Sequence, residues 1–230
     1  SFLSSNGYKD GESWEMLGRY WLENRSDKLI ENDGSFSQYS LNYHRMLLDT
    51  FSIVEVWRQK IKGSFFSQKF YDKTRLATLW LYQMVEPSSG DGPNSGANDG
   101  TRLLQLTDSN YRDYRPTIQL AMTLFHKRTA YIEQGPWLLQ LAWLGIPAAT
   151  TKPPVFSNCD YDDGGYKLLR YGKAMMMLRL AQFRYRPSQS DVLHIDLWVN
   201  GVNIFRDAGS FSYNSKPDHS AYFAGTVSHN

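Results

Sequence analysis

Residues 190–206 read SDVLHIDLWVNGVNIFR, and this stretch decides the fold class. Leu193, Ile195, Leu197 and Val199 alternate through it with Val192, His194, Asp196 and Trp198. Successive side chains of a strand point to opposite faces. The alternation therefore predicts a half-buried strand with the Leu/Ile/Leu/Val set facing the core and the other set on its opposite face. Asn200-Gly201 is a pair that accepts the positive φ a two-residue hairpin needs, and Val202 to Arg206 forms the returning strand. Upstream, Met176, Leu178 and Leu180 repeat at the same period and predict a further strand.

Further upstream the period changes. Pro153-Pro154 and the Asp/Gly-rich run 160–165 lie in a segment, Pro147 to Gly165, that reads as a linker. Before it, apolar residues recur at helical spacing: Trp14, Leu17 and Trp21; Leu47, Phe51, Val54 and Trp57; Leu76, Leu79, Trp80 and Met84; Ile118, Ala121, Met122 and Phe125. A last helix starts at Pro136 and stops at Gly145-Ile146-Pro147, the usual Pro-first, Gly-last asymmetry. The polar run EPSSGDGPNSGANDG, residues 86–100, is a loop long enough to be functional or simply a surface connection. Helices first and strands second make an α+β chain, with a helical domain over 1–150 and an antiparallel β domain over 151–230.

Composition narrows the function. The 230 residues carry 25 Lys+Arg against 23 Asp+Glu, a net charge of +2, which provides no strong basic field for nucleic acid. No run reaches the ~18 apolar residues of a membrane helix. The single cysteine, Cys159, excludes an internal disulfide framework. Aromatic residues make up 15% of the chain, which suits either a large core or a cleft lined with rings, where sugars present apolar C–H faces and polar rims. The chain opens without an initiator Met or signal peptide and is expected to be a segment of a longer protein.

No nucleophile elbow, phosphate loop, H-E-x-x-H or dinucleotide fingerprint is present. The densest polar and aromatic cluster runs from Asp33 to His44 at the entry to the second helix. Tyr43 there is a candidate general acid or base with His44 as a substrate-binding neighbour, or else Tyr43 and His44 merely cap and pack the helix. An unperturbed phenol titrates near ~10, so proton work at neutral pH calls for a nearby cation or metal. Asn98-Asp99-Gly100-Thr101-Arg102 ends the long loop. Asp99 can cap a helix there, while Asn98 and Arg102 can meet hydroxyl and acidic groups of a ligand.

Five segments occur in one order: SQYSLNYHRMLLDT, PNSGANDGTRLL, DDGGYKLLR, SDVLHIDLWVNGVNIFRDAGSFSYN and GTVSHN. Together this series resembles the heparinase II/III-like polysaccharide lyase family. The resemblance implies an α/α toroid followed by an antiparallel β-sandwich, with further segments of the parent chain on both sides. It also implies β-elimination at a uronic acid of an acidic polysaccharide. The C5 proton becomes acidic once the neighbouring carboxylate is neutralised; a base then removes it and an acid protonates the departing O4. The family's proton-carrying Tyr maps onto Tyr43. Its carboxylate-neutralising Asn belongs to an upstream Asn-His motif without a match before Asp33, and Asn42 does not replace it.

Many members carry a His at the position of Gln189, two residues before Asp191. Gln donates hydrogen bonds but does no acid–base work at neutral pH, and His194 is the residue that could compensate, unless it is only a satisfied strand His. The reaction requires no cofactor, but some members hold a structural divalent metal in the sandwich. Asp207 and His229 match two of its ligand positions, and the His that would complete the set falls where Gln189 stands. Family members are usually periplasmic or secreted. Two other readings stay open. One is a glycoside hydrolase on a helical toroid, needing two carboxylates some ~5–10 Å apart, with Asp33, Asp91 and Asp99 as loop candidates. The other is a catalytically silent glycan-binding or biosynthesis-associated protein, motivated by Gln189.

Overall fold

A computed structural model describes residues 3, 6–180, 183–184 and 189–230. Three long helices come first: α1 (Gly11–Leu29), α2 (Leu41–Lys60) and α3 (Gln68–Met84). After a long irregular loop, α4 (Arg115–Ala121) runs into a π turn, Met122–His126, and a 3-10 turn at Pro136–Leu138 leads into α5 (Leu139–Leu144). Five strands follow: β1 (Cys159–Tyr161), β2 (Tyr166–Tyr171), β3 (Ala174–Arg179), β4 (Ile195–Val199) and β5 (Val202–Phe205). They form one antiparallel meander in chain order. A short helix, α6 (Pro217–Ala224), and a 3-10 turn, Thr226–Ser228, close the chain. No helix among the described residues is long and apolar enough to cross a membrane.

Local chemistry accounts for the boundaries. Ser40 and Ser67 cap α2 and α3 by accepting hydrogen bonds from the Tyr43 and Phe70 amides. Gly145 stops α5 in the left-handed conformation at φ 67°. Asn200 and Gly201, at φ 52° and 78°, make the tight β4–β5 turn. The fourth predicted helix buries Ile118, Ala121, Met122 and Phe125 as its spacing requires.

Three predicted faces differ. On β4 the alternation is present but the faces are inverted: His194, Asp196 and Trp198 are buried, while Leu193 is 64% exposed and Val199 lies at the surface. The inward face of the sheet is built from Tyr166, Leu168, Met175, Met177 and Trp198, which share a core with Trp80 of α3. Met175 pairs with Trp198 and Met177 with Asp196, so the sheet's register carries Asp196 inward too. One carboxylate oxygen, Oδ1, accepts there from the Trp198 indole and the Asn203 amide, while Oδ2 is buried without a hydrogen-bond partner. On α1, Trp14, Leu17 and Trp21 are each about half exposed. The buried side of α2 is also more polar than its apolar stripe implied, taking in His44, Arg45, Asp49, Ser52 and Glu55 while Trp57 stays at the surface.

The stretch read as a linker is tied down. The carbonyls of Pro154 and Val155 accept from the Tyr82 hydroxyl and the Gln83 amide of α3. Arg170 of β2 donates to the last carbonyls of the same helix, at Gln83 and Val85. Between α3 and α4 the loop folds over the start of α2. Gly96, at φ 80°, lies so close to Tyr39 that a Cβ there would sit 2.0 Å from the Tyr39 carbonyl oxygen. Gly96→Ala therefore meets both a left-handed conformation and a backbone clash. It should lower stability by on the order of 1–3 kcal/mol, read as a lower urea midpoint at unchanged slope.

Candidate active site

The first turn of α2 places the Tyr43 side chain at the mouth of this loop, half-buried, with its hydroxyl 2.8 Å from that of Tyr213. Burial raises the Tyr43 phenol well above its ordinary value, and the hydrogen bond to Tyr213 and the charge of Asp99 raise it further. Burial alone would also raise the Asp99 carboxyl. Hydrogen bonds from Thr101, and then from Tyr43, outweigh that and hold it below the usual carboxylate range. Asp99 also accepts from the Asn42 amide at 3.3 Å.

The neighbours are fixed by a buried arginine. Arg45, one turn along α2, donates to Asn42 Oδ1 and to the carbonyls of Tyr111 and Thr101. Asn42 Oδ1 further accepts from the Tyr111 hydroxyl, which also reaches Asn98 Oδ1 at 2.7 Å. Both ends of the Asn42 amide are thus engaged. Asn98 keeps its oxygen occupied by Tyr111 and Gly100, so what it offers outward is its amide N–H donors.

The opposite wall comes from the segment after β5. The Ser210 hydroxyl accepts from the Asn98 amide and from Gln189 Nε2, and donates to the Gly96 carbonyl. Two cavities open on either side of this segment. One, of about 320 Å³, is lined by Gln38, Tyr43, Gln189, Ser220 and Phe223 among others. The other, of about 440 Å³, takes in Asn94, Asn98, Asp99, Tyr111 and Phe211. Ser210, Ser212 and Tyr213 border both, so the Tyr43–Tyr213 pair stands at their junction.

Of the residues singled out from sequence, Tyr43, Asn98, Asp99 and Gln189 meet here. His44 does not line either cavity. It is fully buried, with Nε2 2.8 Å from the Ala77 carbonyl and its ring stacked on Trp80 at 4.6 Å. Arg102 donates to the Ser109 carbonyl and also lies outside both linings. Tyr213 was not singled out, although it stands in the quoted run GSFSYN; a tyrosine in a polar, Gly-bounded segment was the available signal.

His194 sits in a separate buried cluster. The inverted face of β4 turns it inward, where donor atoms of His194, Asp207 and His229 all lie within 4.8 Å of one another. His229 Nδ1 is 2.9 Å from Asp207 Oδ2, whereas the Nε2 atoms of both histidines are buried without a hydrogen-bond partner. Two orphaned imidazole nitrogens beside a carboxylate fit a divalent cation of the zinc type. The residue that stands with Asp207 and His229 in this cluster is His194, and Gln189 is not part of it. Asp207 also accepts from the Gly209 amide, and its carbonyl accepts from Asn94, so the cluster roots the segment that carries Ser210 and Tyr213.

Comparison with known proteins bears first on the fold. A heparinase III structure superimposes with a TM-score of 0.69 at 21% identity, over 96% of this chain and 35% of that one. A heparan sulfate lyase HepC from Pedobacter heparinus gives 0.66 at 17%, over 96% and 33%. A heparinase III with methylated lysines gives 0.66 at 16%, over 97% and 33%. The chain thus spans about a third of the length of these structures, whose fold it shares. Residues 156–230, about a third of the chain, match the family described as Heparinase II/III-like, C-terminal. No curated protein matches it.

Burial lowers the His44 imidazole from its ordinary 6.5 to about 4, against the raising effect of the Ala77 carbonyl. Between those values the unfolded chain binds the proton and the folded chain does not. Stability should therefore fall as pH drops from about 6.5 to 4, by up to on the order of 3 kcal/mol from this group. Urea unfolding measured across that window should show a shallower pH dependence in His44→Phe than in the parent.

Proposed function

We propose that the chain is the part of a polysaccharide lyase that carries its proton-transferring tyrosines, and that the enzyme cleaves a uronate-containing polysaccharide by β-elimination. The observation that supports this best is the Tyr43–Tyr213 pair at the junction of two cavities. In elimination the C5–H bond and the C4–O4 bond break, the C4–C5 double bond forms, and a proton reaches O4. Tyr43 is held protonated in the free protein, which suits the donor to O4. Tyr213, whose hydroxyl lies 2.8 Å from that of Tyr43, is then the candidate for the base that takes the C5 proton. The N–H donors of Asn98 and Gln189 are available to neutralise the substrate carboxylate.

The hydrolase alternative has less support. Asp33 is engaged by Ser35 and by the Gly164 amide, and Asp91 by Arg112, which leaves Asp99 alone among the three loop candidates at the cavities. The silent-binder reading rests on Gln189, which contributes a hydrogen bond where a titratable group is usual in the family.

We further propose that residues 1–150 contribute to an α/α toroid and residues 151–230 to a β-sandwich. The substrate and the remaining segments of the parent chain are the partners of this reading. A divalent metal held by His194, Asp207 and His229 would lock the root of the Tyr213 segment rather than enter the reaction.

Two measurements test these readings in the full-length protein. Tyr43→Phe and Tyr213→Phe should each lower formation of the near-ultraviolet-absorbing unsaturated product by ~10²–10⁴-fold with glycan binding retained. Turnover of Tyr43→Phe at the parental rate would make Tyr43 a packing residue and end the lyase mechanism. For the metal, elemental analysis should find one divalent ion per chain in the parent and a loss in His194→Ala, with a lower melting temperature that chelation of the parent reproduces. A parent without metal and indifferent to chelator would remove this part of the proposal.

A further inference from the structure

Phe211 lines the 440 Å³ cavity two residues before Tyr213 and is 66% exposed. Its backbone is left-handed, at φ 55°, a conformation that is costly for a bulky residue and is retained where the surroundings impose it. Those surroundings are aromatic. The ring stacks on Phe223 of α6 at 5.2 Å with an interplanar angle of 9°, and the His219 ring meets it edge-on at 5.9 Å. Phe223 itself lines the other cavity, so the stacked pair spans the two sides of the Tyr43–Tyr213 junction. An exposed ring stacked in place beside the Tyr43–Tyr213 pair provides a flat apolar surface of the kind that takes the C–H face of a pyranose.

The rest of that cavity sets the polarity of its ligand. Asn94, Asn98, Asn214 and Tyr111 bring amides and a hydroxyl, groups that recognise sugar hydroxyls and a single carboxylate. Asp99 adds a carboxylate, which repels a further anion close to it. Among the described residues, two arginines that contact the wall of this cavity are turned to internal duties. Arg112 pairs with Asp91 and holds Asn94 and the Gly92 carbonyl, and Arg45 is buried on Asn42 and loop carbonyls. With these two guanidinium groups engaged, a sulfate group in this cavity would meet the Asp99 carboxylate and the amides of its described lining.

We propose, resting on the lyase reading above, that this groove selects an unsulfated uronate oligosaccharide and that Phe211 is the platform on which a sugar ring next to the cleaved linkage stacks. The reading differs from the sulfated chains named for one of the structural relatives.

The test uses the full-length protein. Binding is measured by calorimetry in the Tyr43→Phe background, so that no turnover intervenes. The probes are unsulfated tetrasaccharides of glucuronate, mannuronate and galacturonate, and a sulfated glucuronate–glucosamine tetrasaccharide. At least one unsulfated probe should bind tenfold or more tightly than the sulfated one. Phe211→Ala should weaken that binding by about tenfold, and Phe211→Trp should restore it. With Tyr43 intact, Phe211→Ala should raise KM while leaving kcat within about threefold. Equal or tighter binding of the sulfated probe, failure of every probe to bind, or unchanged binding in Phe211→Ala would each overturn the proposal. Should Phe211→Ala fail to fold, judged by circular dichroism, Phe211→Gly, which relieves the backbone strain while removing the ring, takes its place. Phe211-dependent binding of an unsulfated probe without any unsaturated product would retain the platform and sink the lyase reading. Elimination confined to sulfated chains would retain the lyase reading and sink this one.

Discussion

An irregular loop of thirty residues between α3 and α4 is folded onto the protein, and its backbone polar groups must find partners without the help of a ladder. That constraint organises the site. The first turns of α2 answer it with side chains: the Ser40 hydroxyl donates to the Ala97 carbonyl, and Arg45 serves the carbonyls of Thr101 and Tyr111. Arg45 also lies over the rings of Tyr111 and Tyr114, so a fully buried guanidinium is both hydrogen-bonded and stacked. Charge of this kind is tolerated in an interior only when it is paired in this way. Arg112 performs the same service from the far end of the loop, and Glu86 collects the hydroxyls and amides of Ser88 and Ser89 at its start.

With the loop held, the catalytic candidates become a joint product of both halves of the chain. Tyr43 belongs to a helix, Asn98 and Asp99 to the loop, and Tyr213 to the segment that leaves the sheet. The connection between them is short-range and polar: Ser210 contacts Gly96 and Asn98 of the loop and Gln189 near the start of β4. Gly209 permits this approach. At φ 79°, a Cβ there would stand 2.4 Å from the Asn94 amide nitrogen. Such a site depends on tertiary docking for its existence, because no single element carries enough of it to do proton chemistry alone.

Legibility from sequence followed the range of the interaction. Tyr43 could be singled out because its helix start, its Ser40 cap and its polar neighbours lie within a few residues. Asn98 and Asp99 could be singled out because a Gly/Asn/Asp run at the end of a long loop marks a constrained turn. Tyr213 could not be paired with Tyr43, from which it is separated by 170 residues. His44 was legible as a polar residue beside a candidate, but not as a core residue, since its burial depends on Trp80 one helix away. His194 was legible as a strand histidine, and its approach to Asp207 and His229 depended on which face of β4 turned inward.

What the sequence by itself determined was the order and type of the elements. The change of apolar period from 3.6 to 2, the Asn200-Gly201 hairpin and the Pro136 and Gly145 helix limits are local consequences of backbone geometry, and each residue needs only its near neighbours to express them. Only the tertiary structure decided which side of each element faced inward. On β4 both alternating sets contain large apolar residues, so the pattern is nearly symmetric with respect to the core. The choice went to the set containing Trp198, because its ring joins Tyr166, Met175 and Trp80, and because Trp198 and Asn203 donate to Oδ1 of the carboxylate that is buried with it. Those partners come from β2, β3, β5 and α3, and contacts of that sequence separation are set by packing rather than by any local signal.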